Sequence, residues 1–242
     1  MDRQTRHQLK HDEFKDTLVS VEEYIKHHYK EIINLSIIVI VVVGLAVGLK
    51  YYTDRQDAGA NADLGEALAT FRASVGQPTP GQNDPEGAAY PTAQEKYKKA
   101  LQQFDAILDK YKMVPQPKAV AIARYQAGVC QSLLGDHSRA VQTLTEASEG
   151  SDAEIAAMAR FALAGELASS GKTPEAVKIY QELADHPTVT VPKASALLAM
   201  ADAYRESQPA QARQIYERVQ KEFASNATVA QAVKQDIASL SN

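Results

Sequence analysis

Tryptophan is absent from this chain of 242 residues, and cysteine occurs once, as Cys130. A single cysteine excludes an internal disulfide and a zinc site built from paired cysteines. Because Cys130 falls in a segment predicted to be helical, we expect it to be a small core residue rather than a reactive thiol.

An excess of positive charge is also missing. The net charge is −4, and from residue 53 onward 19 Lys and Arg face 23 Asp and Glu. Without a basic face, nucleic acid is not an expected partner. The 45% apolar content suffices for one sizeable domain, or one domain with attachments. Abundant alanine favours helix, so we predict an all-α fold.

Charge disappears completely from residues 32–49, which read IINLSIIVIVVVGLAVGL. At the helical rise per residue this run is about 27 Å long, close to the hydrocarbon thickness of a bilayer. Tyr29 precedes it, and Tyr51 and Tyr52 follow it, as expected for residues at the headgroup level. We predict a single transmembrane anchor at residues 32–52.

Two alternatives to an anchor are weaker. A buried core helix fits poorly with an all-round apolar run flanked by Lys30 and Lys50. A cleaved signal peptide fits poorly because the preceding 31 residues are too long and too acidic.

The orientation follows from Lys and Arg, of which six precede the run and three lie in the 31 residues after it. The positive-inside rule therefore predicts a cytoplasmic N-terminus and a C-terminal domain across the membrane. In a bacterium this is an inner-membrane protein with a periplasmic domain. Gly44 and Gly48 form a G-x-x-x-G pattern and are a candidate contact with another membrane helix, the alternative being small residues that face lipid.

Residues 1–31 form a predicted amphipathic cytoplasmic stub. A short heptad-like seam runs along it through Phe14, Leu18, Val21, Ile25, His28 and Ile32. It is too short to predict a stable coiled coil, and an interfacial helix or an extension of the anchor is favoured. His7 and His11 lie one helical turn apart, but no third ligand is spaced to complete a metal site, so a solvated polar face is expected.

A period of 36 residues organises the rest of the chain. Three successive stretches, beginning at Gly135, Gly171 and Ser207, place an alanine, a bulky residue and an aliphatic residue at fixed intervals. The same phases recur 40 residues earlier at Ala100, Phe104 and Ile107. Such a fixed period indicates stacked repeats.

The spacing has a packing reason. A glycine that tolerates positive φ suits the turn between two antiparallel helices, the alanine allows close helix approach, and the bulky residue fills the space one turn later. Each pair cannot bury its faces alone, so pairs stack into a solenoid. We predict about four pairs in residues 53–242, with residues 76–91 as a loop insertion and residues 227–240 as a capping helix.

These positions resemble the tetratricopeptide repeat. Gly128 takes the place of the first-helix glycine, Gly135 that of the turn, and Leu64-Gly65 opens the first unit. The repeats are degenerate, because no tryptophan occupies the usual aromatic start and Ala164 and Met200 stand at the phase of Gly128.

A cytoplasmic stub, one anchor and a degenerate repeat domain, in that order, also resemble the YfgM-type ancillary subunits of the bacterial Sec translocon. The segment VEEYIKHHYKEII before the span is similar to that family's amphipathic segment. The resemblance implies association with the SecYEG channel and with a membrane-anchored periplasmic chaperone, and a role in handing exported client proteins onward. The alternative is a generic envelope-assembly scaffold of the same repeat type, unconnected to Sec.

Signatures of catalysis are missing. GELASSGKT, residues 165–173, ends like a phosphate-binding loop, but Glu166 stands where the first glycine is needed and no strand precedes it. Beyond the membrane only His137 and His186 remain, both near predicted turns. No acid–base set is assembled, so we expect neither an enzyme nor a cofactor.

An adaptor needs a binding surface, and stacked helix pairs supply a concave face lined mainly by first helices. In the register given above, that face collects Tyr125, Val129, Met158, Phe161, Leu197 and Tyr204. These six form a candidate protein-binding groove for an extended or helical segment. Several of them are equally well explained as core between helices.

Overall fold

The computed structural model describes residues 3–76, 90–113 and 115–240, without the side chains of residues 3–27 and 32. The heptad-like seam from Phe14 to Ile25, His7 and His11, and most of the insertion at residues 76–91 therefore lie outside the described residues or side chains. Within the described part nine helices are present and no strand: α1 Arg3–Arg72, α2 Ala93–Lys110, α3 Lys118–Leu133, α4 His137–Ser148, α5 Ala153–Ser169, α6 Thr173–Asp185, α7 Lys193–Tyr204, α8 Pro209–Glu222 and α9 Ala227–Ser239.

The chain divides into two compact units, Met1–Arg55 and Gln56–Asn242. In the first, α1 is interrupted by a non-helical residue, His28, and the helix from His28 onward is long and apolar enough to be a candidate membrane span. Its apolar side chains, Ile37 and Val41 among them, are exposed. The uncharged run at residues 32–49 lies within this candidate span.

The second unit is a solenoid of helix pairs. The end of α1 pairs with α2, α3 with α4, α5 with α6 and α7 with α8, and α9 packs on α8 at the end. First helices also contact one another, α3 with α5 and α5 with α7, whereas no comparable contact joins α4 to α6 or α6 to α8 in this described region. The first helices therefore line the inner side of the stack, as predicted.

The 36-residue phases are the core of this solenoid. The alanines at the first phase are all 0% exposed: Ala100, Ala140, Ala176 and Ala212. The bulky residues at the second phase are at most 4% exposed: Phe104, Leu144, Tyr180 and Tyr216. The residues at the third phase are at most 5% exposed: Ile107, Ala147, Leu183 and Val219. The packing interpretation of the repeat is confirmed.

Side-chain caps begin α4 and α5, and glycines follow the ends of α3 and α5. Asp136 and Asp152 accept hydrogen bonds from backbone N–H groups in the first turns of α4 and α5. Gly135 and Gly171 follow α3 and α5 with φ values of +82° and +80°, a conformation that favours glycine. Asp136 N–H then bonds Gln131 O, and Lys172 N–H bonds Leu167 O.

The third turn differs from this expectation. Ser207 occupies the glycine phase, but no described residue other than glycine has positive φ. α7 instead ends at Tyr204, and Gln208 N–H bonds Tyr204 O over a shorter interval. A residue with a Cβ avoids the left-handed region, so this turn is built differently.

The core consists of two clusters rather than one. The first joins the end of α1, α2 and α3 through residues such as Leu64, Phe104 and Ala127. The second runs from Leu144 of α4 to Val233 of α9. Outside the helices, Val75 pairs with Tyr90 in an isolated bridge at the base of the predicted insertion.

Candidate protein-binding site

Five of the six predicted groove residues are partly accessible. Tyr125 and Val129 lie on α3, Met158 and Phe161 on α5, and Tyr204 ends α7; all five are half-buried. Tyr125, Met158, Phe161 and Tyr204 also pack against the second core cluster. Each therefore combines a structural contact with a surface that a partner can reach.

Leu197 does not belong to such a surface. Its side chain is 0% exposed and lies within the second core cluster, so the register predicted for α7 is wrong at this residue. The reason is the polar side of α7. Ser195 and Asp202 are exposed, and at about 100° per residue they lie roughly opposite Leu197. Glu206, in the turn after α7, is exposed as well. Turning the polar side to water turns Leu197 into the core.

An open groove lies beside this polar side, and we call it the α5–α7 groove. It has a volume of about 850 Å³ and runs between α5, the start of α6 and the end of α7. Its lining includes Phe161, Tyr180, Ala199, Asp202, Ala203 and Glu206. Of the six predicted residues, only Phe161 lines it.

Aromatic contact fixes the bottom of the groove. The rings of Phe161 and Tyr180 meet edge to face, with centroids 5.4 Å apart and planes at 65°. Burial raises the pKa of Tyr180 to about 12, and the negative charge of Asp202 adds to the effect. The hydroxyl therefore stays protonated at every physiological pH.

A charged network closes one end of the groove. Arg205 Nη2 donates to Tyr216 Oη at 2.9 Å, to Asp202 Oδ1 at 2.8 Å and to Asp236 Oδ1 at 3.2 Å. Tyr216 Oη in turn donates to Asp202 Oδ1. The pKa of Arg205 is raised, first by its hydrogen bond to Tyr216. This network joins α7, α8 and α9, and it holds Asp202 in place.

A serine, a histidine and a carboxylate meet elsewhere, on α3, α4 and α5. Ser132 Oγ donates to Glu166 Oε1, and His137 Nδ1 lies 2.7 Å from Glu166 Oε2. In a serine nucleophile the histidine must contact the hydroxyl, whereas here the carboxylate separates the two. The arrangement therefore ties three helices together and does not activate Ser132. No sequence motif indicates this contact, because Glu166 is 29 residues from His137 and 34 residues from Ser132.

The remaining candidates have simple environments. Cys130 is 0% exposed, and burial raises the pKa of its thiol to about 12, as a core cysteine requires. Nothing lies within 4 Å of a Cβ placed on Gly44 or Gly48. In the described part of the chain, no group of three His, Cys, Asp or Glu residues converges on a metal position.

Sequence reasoning missed the acidic end of the groove. The 36-residue period predicts only a core position for Tyr180, and no motif marks Asp202 or Glu206. The spacing of Ser195 and Asp202 along one side of α7, with Glu206 just after the helix, was the available signal, since exposed polar residues recur at helical intervals.

Comparison with known proteins agrees with the repeat architecture. Residues 195–226, which cover most of α7 and all of α8, match the sequence profile of the tetratricopeptide repeat. No curated protein and no solved structure matches the chain. The fourth helix pair is therefore a tetratricopeptide-type repeat, in a class of proteins that typically bind other proteins.

Proposed function

We propose that this protein is a membrane-anchored adaptor that binds proteins with the inner face of its periplasmic repeat domain and assists Sec-dependent export. It links the SecYEG translocon with a membrane-anchored periplasmic chaperone and hands over exported clients. The observation that carries the proposal is the order of elements. A candidate span lies near the N-terminus, and a tetratricopeptide-type solenoid with an open inner groove follows it.

The groove supports the binding part of this proposal. Its half-buried aromatic side chain, Phe161, is backed by Tyr180 and is therefore held in one orientation. A rigid aromatic anchor in an open groove is a frequent hot spot of protein recognition. The location and the Sec connection rest on the positive-inside charge bias and on the resemblance to YfgM-type subunits.

The experiment is site-specific crosslinking in intact cells, with the full-length protein carrying a photoreactive residue at Phe161. The matched control carries it at Glu217 on α8, an exposed residue outside the groove. We expect translocon subunits, the chaperone or exported clients to crosslink from position 161 and not from position 217. Crosslinks to outer-membrane or polymer-assembly proteins alone would contradict the Sec connection and favour the envelope-assembly scaffold.

A further inference from the structure

The α5–α7 groove combines apolar walls with an acidic end. Ala199 and Ala203 lie one turn apart on α7, and Phe161 faces the same space from α5. Asp202 follows in the last turn of α7, and Glu206 lies in the turn just after the helix. The groove can therefore hold an apolar side chain and a charged one side by side.

The hydroxyl of Tyr180 adds a polar group to the groove. Most of this residue is buried, at 4% exposed, and its ring packs against Phe161, while its hydroxyl oxygen remains accessible from the groove. A phenol hydroxyl both donates and accepts hydrogen bonds, so it can pair with a polar group of an incoming ligand.

The charges at this end favour a cation. Asp202 uses Oδ1 for both of its bonds, to Arg205 and Tyr216, and its side chain remains 55% exposed. Glu206 is exposed beside it. The helix dipole adds negative potential at the end of α7. Arg205 also lines the groove, but its Nη2 is already bonded to Asp202 and Asp236, so two carboxylates balance its one charge before Glu206 is counted.

We propose that the α5–α7 groove binds a segment of a partner protein in which a lysine or arginine adjoins apolar side chains. The cation meets Asp202 and Glu206, the apolar side chains cover Phe161 and the two alanines, and a polar group of the segment pairs with the Tyr180 hydroxyl. This rests on the proposed adaptor function and specifies its partner chemistry.

The test measures peptide binding to the full-length protein in a nonionic detergent by fluorescence anisotropy. The probe is a short labelled peptide in which lysines alternate with leucine and phenylalanine. Matched peptides carry glutamine or glutamate in place of lysine. We expect the lysine peptide to bind most tightly and its affinity to fall as salt rises, because exposed charges are screened.

Three variants locate the site. Glu206→Lys should lower the affinity for the lysine peptide about tenfold, since it replaces an attraction by a repulsion. Tyr180→Phe should lower it about threefold while keeping the ring. Glu182→Lys makes the same charge change at an exposed position of α6 outside the groove, and should leave binding unchanged. All variants are measured in the same detergent, so nonspecific binding of the peptide to micelles contributes equally to each measurement.

Several results would overturn the groove assignment. These are equal binding of the lysine and glutamate peptides, no binding by any peptide, or equal effects of Glu206→Lys and Glu182→Lys. If cell crosslinking still yields translocon partners, the adaptor function survives and only the partner chemistry fails. If Glu206 and Tyr180 control lysine-peptide binding but crosslinking yields no translocon component, the groove assignment stands and the Sec connection fails.

Discussion

At Gly128 the backbone of α3 receives the Leu144 side chain of α4 directly, because the glycine has no side chain of its own. A Cβ placed there would lie 2.7 Å from Leu144 Cγ and 2.8 Å from Leu144 Cδ2, far inside contact distance. The small residue at this phase was predictable from the resemblance to the repeat. The residue that packs against it, Leu144, was not predictable, because that contact depends on the position of α4 along the axis of α3.

We predict that Gly128→Ala lowers the free energy of unfolding by about 1 kcal/mol and lowers the melting temperature accordingly. Overpacking costs about 1–3 kcal/mol, and the better helix propensity of alanine returns about 1 kcal/mol. Gly65→Ala is the matched control, since nothing lies within 4 Å of its Cβ position in α1. Thermal melting followed by circular dichroism should show stabilisation for Gly65→Ala, and a similar gain for Gly128→Ala would contradict the close approach.

The stability of the folded protein should be sensitive to alkali because of three buried groups, Cys130, Tyr180 and Tyr216. Their folded pKa values are about 12, against ordinary values of 9.0 for the thiol and 10.0 for the phenols. Above pH 9 the unfolded chain releases protons that the folded chain retains, so the free energy of unfolding falls as the pH rises. The melting temperature should decline from about pH 9, where the unfolded thiol titrates. Cys130→Ala should delay the onset of the decline, and an unchanged onset would show that the thiol is accessible.

At the level of elements, α7 shows where extrapolating a repeat fails. A period of 36 residues places the alanine and bulky phases of α8 correctly, because those positions pack between the two helices of a pair. The inner face of α7 does not pack between the two helices of a pair, so its orientation is determined by the polar residues of α7. Ser195 and Asp202 turn outward, and Leu197 is buried as a result. Core phases were predictable from the period, but the orientation of the groove was not.

The turns between the helices of a pair give a test at the same scale. Gly135→Ala and Gly171→Ala should each lower the free energy of unfolding by about 1 kcal/mol, because both positions have φ near +80°. Ser207→Ala, at the same phase of a turn with negative φ, should change it little. Chemical denaturation of the three variants compares them directly. A loss at Ser207 as large as that at Gly135 would mean that the serine side chain, not the backbone, holds the third turn.

For the whole molecule, the sequence predicted a candidate span followed by an α-solenoid, and the structure has both. Both were predictable because each depends on a local pattern in the sequence: an uncharged run for the span and a repeated spacing for the solenoid. The Ser132–Glu166–His137 contact and the network around Arg205 depend on distant residues meeting. Such contacts form only once the pairs have stacked.

Topology is the prediction that concerns the entire chain. An alkaline phosphatase fusion placed after residue 75 should be active, because the charge bias predicts a periplasmic repeat domain and this enzyme folds in the periplasm. A fusion at residue 30, before the candidate span, should be inactive. The opposite pattern would place the repeats in the cytoplasm and remove the export function.

The division of the core into two clusters bears on how the solenoid opens. The two clusters meet at α3, which carries much of the first cluster but packs Tyr125 and Gly128 against the second. In a stack of this kind cooperativity passes only through adjacent interfaces, so α3 couples the opening of the two clusters. Amide hydrogen exchange should therefore place α3 and α4 in one protection class. Different protection of these two helices would show that the clusters open separately.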